Sequence, residues 1–323
     1  MTEYKNGTLW LDTDGNPIQA HGGHIIEYGG FYWWYGENRL GDNYVSCYRS
    51  RDLLNWEFRR NVLTKHSPCK EHRVKSDTSL VNEHGGKVNI ERPKVAYNEK
   101  TGKFVMWAHY ENGENYDAAC ACVAVSDAPD GEFAYLGSFR PFGEMSRDCT
   151  LFCDDDGKAY FVSSSRDNLD THIYRLSGDY LNTSKLSAVL WQGEMREAPA
   201  LFKKDGEYFM LNSYCTGWEP NQGKYSRSCG IEDGWQDLSL FGDETTFTSQ
   251  PAFVLPVKRP DGGTDYYYFG DRWCYKGVNL RLEGNDTAEY YANSTYVVLK
   301  IGFDTDGNPY IEWSDTFKPD IKC

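Results

Sequence analysis

The sequence predicts an all-β fold, a five-bladed β-propeller built as a single domain over residues 1–323. Three observations predict it: a tyrosine-rich segment recurs five times, every copy carries a hairpin signal, and clean 3.6-residue periodicity is scarce. The copies read HGGHIIEYGGFYWWYGE from His21, ERPKVAYNEKTGKFVMWAHY from Glu91, SRDCTLFCDDDGKAYFVSSS from Ser146, REAPALFKKDGEYFMLNSY from Arg196 and SQPAFVLPVKRPDGGTDYYYFGDRW from Ser249.

Each copy runs from a polar leader through a short apolar strand and a Gly-containing turn (YGG, KTG, DDG, KDG, DGG) to a second strand dense in aromatics. The first four copies are followed by second hairpins: VSCYRSRDLLNWEF, CVAVSDAPDGEFAYL, HIYRLSGDYLNTS and SCGIEDGWQDL. A unit therefore supplies four strands, and five units spaced by roughly 50 to 70 residues make a propeller. LDTDGNPIQ near the start is echoed by FDTDGNPYI near the end, and both read as strand–turn–strand pieces that bring the chain ends together. A D-x-D-G-N run resembles part of a calcium loop, but the downstream acidic ligand is absent, so a plain turn is expected.

Composition narrows the function. A formal net charge of -14, from 48 acidic against 34 basic residues, repels phosphate backbones and argues against a nucleic-acid partner. No apolar run reaches membrane-spanning length, and the opening MTEYKNGTLWLDTDG has neither a basic nor an apolar signal region. With ten scattered cysteines read as reduced thiols, the expectation is a cytoplasmic protein, or a secreted one if a leader has been removed. Cys120-x-Cys122, Cys149-xxx-Cys153 and Cys69-xx-His72 lack a matching second pair, so neither a metal nor a cofactor is expected.

In a propeller the first strand of each blade lines the central channel, so the five leaders converge at one mouth. They are Ala20-His21-Gly22, Glu91-Arg92, Arg147-Asp148, Arg196-Glu197 and Ser249-Gln250. If the first strand runs away from that mouth, the loop after the second strand returns to it, which adds Glu37, Tyr116, Asn168, Thr216, Trp218 and residues 271–273. Carboxylates crowded in one pocket can have raised pKa values, as a general acid at neutral pH requires. His21 is the one histidine whose leader position suggests a ligand contact. Trp218 and Trp273 can stack on the apolar face of a sugar, whereas Trp33, Trp34 and Trp107 lie inside strands and read as core. A polar, aromatic-rimmed pocket with several carboxylates suits glycoside hydrolysis.

The motifs DTDGNPIQAHGG, FYWWYGE, ERPKV, SRDCTLF, REAPALF, CTGWEPN, TSQ and GDRW, in this order, resemble the exo-β-1,3-galactanase subfamily (subfamily 24) of glycoside hydrolase family 43 over essentially the whole chain. The first leader, Ala20-His21-Gly22-Gly23, has no carboxylate where the wider family has its Asp base, and that subfamily shares the departure. The resemblance implies Glu197 as general acid, Glu91 as the modulator of its pKa, and Gln250 as the group that positions the attacking water or takes its proton as an imidic tautomer. It also implies sugar contacts at Glu37, Tyr116, Asp148, Thr216 and Trp218. The expected activity is an inverting, exo-acting release of galactose from β-1,3-galactan or arabinogalactan oligosaccharides. Inversion with a Gln250-held water requires Glu197 and Gln250 to stand far enough apart to admit that water. The alternatives are an α-L-arabinofuranosidase or β-xylosidase of the same family, and a non-catalytic sugar-binding propeller.

Overall fold

The computed structural model describes residues 1–70, 79–274 and 291–321. After a short strand β1 (Tyr4–Lys5), blade 1 comprises β2 (His21–Tyr28), β3 (Phe31–Glu37), β4 (Asn43–Ser50) and β5 (Glu57–Thr64). Blade 2 is β6 (Asn89–Asn98), β7 (Lys103–Glu111), β8 (Cys120–Ser126) and β9 (Ala134–Phe139). Blade 3 is β10 (Cys149–Cys153), β11 (Ala159–Ser165), β12 (Asp170–Leu176) and β13 (Thr183–Leu190). Blade 4 is β14 (Arg196–Lys204), β15 (Glu207–Tyr214), β16 (Gly223–Ser228) and β17 (Ser239–Phe241). Blade 5 is β18 (Gln250–Lys258), β19 (Thr264–Arg272), β20 (Thr295–Phe303) and β21 (Pro309–Ile311), followed by β22 (Thr316–Phe317).

Each blade is a four-stranded antiparallel meander in strict sequence order, as the repeat predicts. The first strands touch in a closed ring: β2 with β6, β6 with β10, β10 with β14, β14 with β18, and β18 with β2. Period-2 alternation sends neighbouring side chains to opposite blade faces, so the core lies between blades. Trp34 packs with Phe253 and Phe269 at the interface of blades 1 and 5, while the adjacent Trp33 packs with Met106 and Phe104 toward blade 2. Trp107 joins Phe161 and Leu151 between blades 2 and 3. All three tryptophans are core, as their strand positions predict.

The ends close differently from the expectation. FDTDGNPYI forms the outer hairpin of blade 5, and the termini meet instead through β1, which pairs antiparallel with β22. Asn6 reinforces this closure by acting as a surrogate strand: its side chain donates to Val298 O at 2.9 Å and accepts from Val298 N at 2.7 Å. Both D-T-D-G-N segments are plain turns. Asp12 Oδ1 accepts the N–H groups of Asp14 and Asn16, and Asp304 Oδ1 accepts those of Asp306 and Asn308. Among the described residues, no helix is long and apolar enough to cross a membrane.

Candidate active site

The leaders do not enter their strands as ideal β. The β2–β3, β6–β7, β14–β15 and β18–β19 ladders each shift register just inside the first strand. Three of the residues that follow a leader side chain have positive φ: Gly22 at 55°, Arg92 at 53° and Ala198 at 53°. Two of them are not glycine, a sparsely populated conformation that concentrates at functional sites. The irregularity frees a backbone N–H, and in each case a carboxylate from the preceding blade takes it. Gly22 N–H donates to Asp271 (2.9 Å), Arg92 N–H to Glu37 (2.9 Å) and Ala198 N–H to Asp148 (3.2 Å). A Cβ on Gly22 would fall 2.6 Å from the Glu37 carboxyl, which requires glycine there. The bulges thus re-aim the leaders and fix three acids around the channel mouth.

Glu197, Gln250, Glu91, Glu37, Tyr116, Asp148 and Trp218 line one cavity of 320 Å³ at this mouth. Arg92 lines it as well, and two residues along β6 the fully buried Lys94 donates its ammonium to the carbonyls of Gly22 and Gly23 (2.8 Å to the latter).

His21 and Thr216 do not line the cavity, and of residues 271–273 only Trp273 does. His21 is fully buried, with its ring stacked on Tyr296 at 5.0 Å and edged by Tyr291 and Trp273. Its Nδ1 faces Asp271 at 3.5 Å, so it belongs to the packing behind the site. Thr216 spends its hydroxyl on the turn of its own loop, donating to Glu219 O and accepting from Asn221 Nδ2, and its neighbours Cys215 and Gly217 line the cavity instead.

Glu197 is 9% exposed. Burial, and then the nearby Asp148 carboxylate, push its pKa up to about 8, against the lowering influence of Cys215, Arg92 and Gln250. The arginine beside it in sequence does not neutralise it: Arg196 donates to Glu194 O and Asn212. Arg92 likewise skips Glu91 and pairs across blades with Asp148 at 3.0 Å. The carboxylate that acts on Glu197 is therefore Asp148, whereas the resemblance gave that role to Glu91.

Glu91 is held in the opposite sense. Burial works to raise its pKa, but hydrogen bonding with His109, the Arg39 guanidinium and the Tyr116 hydroxyl outweigh it and hold it at about 2. Arg39 Nη2 and Tyr116 OH each reach Glu91 Oε1 at 2.9 Å. Arg39 also pairs with Glu37 at 3.1 Å, and its guanidinium lies 4.2 Å from the Tyr291 ring centroid and 5.7 Å from that of Trp218. Glu37 accepts further bonds from Tyr291 OH (2.7 Å) and the Arg92 N–H, so it is fully engaged.

Gln250 overturns an expectation. Its Nε2 donates to Glu197 Oε1 at 2.9 Å and to Ser213 Oγ at 3.0 Å, and its Oε1 accepts from Trp273 Nε1 at 2.8 Å and from Arg92 Nη2. Indole and guanidinium nitrogens can only donate, so the amide oxygen must face them and the orientation is fixed by chemistry. Gln250 is in direct contact with Glu197, with no space between them for a water, and both acceptor sites of its oxygen are filled. The separation required for Gln250 to hold the attacking water is absent.

Sequence reasoning missed Arg39, His109 and Cys215, all of which line the cavity. Arg39 and Cys215 lie in loops where no periodicity marks them. His109 carried a signal, because His-x-Glu in the otherwise apolar strand FVMWAHYE puts two polar groups on one buried face. Donor atoms of Glu91, His109 and Asp148 lie within 4.8 Å of one another, but the charge there is already balanced by Arg39, Arg92 and His109 itself.

The same assembly of blades occurs in solved structures. An exo-β-1,3-galactanase from Clostridium thermocellum is 43% identical with a TM-score of 0.87, covering 99% of this chain and 67% of that one. One from Phanerochaete chrysosporium, with β-1,3-galactotriose, is 31% identical with a TM-score of 0.83, covering 99% and 69%. Among curated proteins, a xylosidase/arabinosidase from Butyrivibrio fibrisolvens is 30% identical over 186 residues, 52% of this chain and 32% of its own. The chain spans about a third of the length of the curated relatives it matches. The sequence model of glycosyl hydrolases family 43 matches residues 15–240, from the first turn through blade 4 and its acid leader, and the chain belongs to that family.

Proposed function

We propose that this chain is an exo-acting glycosidase that releases galactose from the ends of β-1,3-linked galactan or arabinogalactan oligosaccharides, with Glu197 as the general acid. The observation that carries the reading is the environment of Glu197: a buried carboxyl, pushed up to about 8 and therefore protonated at neutral pH, opening on a cavity with carboxylates opposite. The volume, 320 Å³, lies at the small end of ligand pockets, roughly 300 to 1,000 Å³. The substrate class rests on likeness to galactanases along nearly the whole chain, against partial likeness to the xylosidase/arabinosidase.

Gln250 acts in this reading as a donor that orients Glu197 and stabilises the carboxylate left on it after proton transfer. Asp148, tied to Arg92 and the Ala198 N–H, tunes the acid. Glu91, held as a carboxylate on blade 2, is then the group left to take the proton of the attacking water.

The test is product analysis from β-1,3-galactobiose and from branched galactan, with NMR of the anomer first released. Galactose as the sole early product supports the reading; arabinose or xylose without galactose overturns it. Wild type and Glu197→Gln that bind galactan equally and are equally inactive would make the chain a sugar-binding propeller.

A further inference from the structure

One titratable group in the cavity wall has no part in the scheme so far. His109, on β7, is 1% exposed and stands opposite Glu91 in the β6–β7 ladder. Three carboxylates surround its ring. Nε2 bonds to Glu111 Oε1 at 2.8 Å, and Nδ1 lies 3.3 Å from Glu91 Oε2 and 4.0 Å from Asp148 Oδ1. Glu111 is itself fully buried and anchored, since its second oxygen accepts the Ala119 N–H at 2.9 Å. It lines no part of the cavity, so its contact with the chemistry runs through His109.

The arrangement is directional. A carboxylate fixed behind an imidazole sets the ring's orientation and favours a proton on both nitrogens, and the far nitrogen then presents a positive N–H to whatever lies in front. In front stand Glu91 and Asp148, on adjacent blades. The corresponding ladder positions opposite the other leader side chains hold Glu37, Ser213 and Asp271, so blade 2 alone of these four puts an imidazole there.

We propose that His109 is a positioning residue of the reaction, a fixed cation set by Glu111 that aims Glu91 and Asp148 into the cavity. The proposal rests on the functional reading above. Hydrogen bonding and charge from Glu111 and Glu91 outweigh burial and raise the His109 pKa to about 9, which agrees with the geometry. The groups facing the ring are Glu91 from β6, Glu111 from its own strand, Asp148 at the entry to blade 3 and the Tyr116 ring at 5.9 Å, with Arg39 and Arg92 behind the two carboxylates.

The test has two arms. Nitrogen-15 NMR of the imidazole in the wild-type chain should show both His109 nitrogens protonated at pH 7, with Glu111→Gln moving the midpoint down on the order of one pH unit. Kinetics on β-1,3-galactobiose should show His109→Gln losing about 10²-fold in kcat with KM changed less than about threefold. Its acid limb should move up, because Glu91 loses a partner that keeps it ionised. Glu111→Gln should lower kcat at high pH while matching wild type near pH 6. A neutral wild-type imidazole at pH 7 overturns the proposal, as does a folded Glu111→Gln whose pH profile superimposes on wild type. Absence of galactose release from wild type would overturn the functional reading, and the NMR arm would still decide the cation.

Discussion

Gln250 and Glu197 are joined by a hydrogen bond of 2.9 Å, and the amide is the donor. Because Trp273 and Arg92 occupy its oxygen, Gln250 can stabilise a charge on Glu197 but has no lone pair left to take a proton. Gln250→Ala removes that donor, which lowers the Glu197 pKa in the wild type, and also removes the amide oxygen to which Trp273 Nε1 and Arg92 Nη2 donate. Its kcat should fall on the order of 10²-fold and its alkaline limb should move up. Gln250→Glu places a second carboxyl against Glu197, and two carboxyls in contact cannot both ionise, so that limb should again move up. Both profiles are read from kcat/KM against pH on β-1,3-galactobiose, whose leaving oxygen needs the proton. A uniform loss with no movement of the limb would return Gln250 to a part in the water's proton transfer.

Asp148 is the carboxylate whose charge, after burial, raises Glu197. Asp148→Asn removes that charge while keeping an acceptor for the Ala198 N–H and Arg92. The pKa of Glu197 should fall from about 8 but remain above an ordinary glutamate, since burial is the larger cause. The alkaline limb therefore moves to lower pH, by on the order of one unit, opposite to the Gln250 variants. A limb that stays in place in Asp148→Asn would refute the assignment of Asp148 as the tuning group.

A raised carboxyl also has a stability consequence of definite sign. Between the unfolded pKa near 4.5 and the folded value of about 8, the folded chain holds a proton that the unfolded chain has lost, so stability falls as pH rises through that window. Glu197→Gln removes the effect. At pH 4 the variant and wild type should melt together, and the advantage of the variant should grow by about 1.4 kcal/mol per pH unit at most, reaching a few kcal/mol at pH 8. Differential scanning calorimetry at pH 4, 6 and 8 reads it directly. Turnover should fall by a factor of 10² to 10⁴, roughly the contribution of one general acid, and least for substrates whose leaving group needs no proton.

The repeat made the ring legible because leader, apolar strand, glycine turn and aromatic strand recur in the same order, and each step has its own residue signature. It also located Glu91, Asp148, Glu197 and Gln250, since equivalent positions in a propeller face one mouth. His21 misled because the same position sinks in blade 1: Tyr291 and Tyr296, far away in sequence, cover the ring. Thr216 misled because a hydroxyl in a tight loop was as ready to cap its own turn as to meet a ligand. The contact between Gln250 and Glu197 was not readable at all. It depends on Ser213, Trp273 and Arg92, from three blades, converging on one amide.

Among the described residues, no β-ladder joins the first blade to the last, and the two ends of the chain pair with each other instead. The packing of β2 against β18 is reinforced by β1 against β22 and by the side chain of Asn6, which bonds Val298 on both backbone groups and also reaches Ser314 O at 2.9 Å. Tyr4 and Trp10 stack beside it at 3.9 Å, burying the seam. Asn6→Ala leaves the buried N–H and C=O of Val298 without those partners, a loss of about 2 to 4 kcal/mol. Asn6→Asp keeps the acceptor for the N–H but loses both donor bonds and sets a carboxylate against two carbonyl oxygens, so it should be no better. Urea unfolding should give a lower midpoint for both, and hydrogen exchange should show β20 opening before the inner strands of blades 2 and 3. Equal protection across all blades in Asn6→Ala would mean that β1–β22 pairing and aromatic packing close the ring without the asparagine.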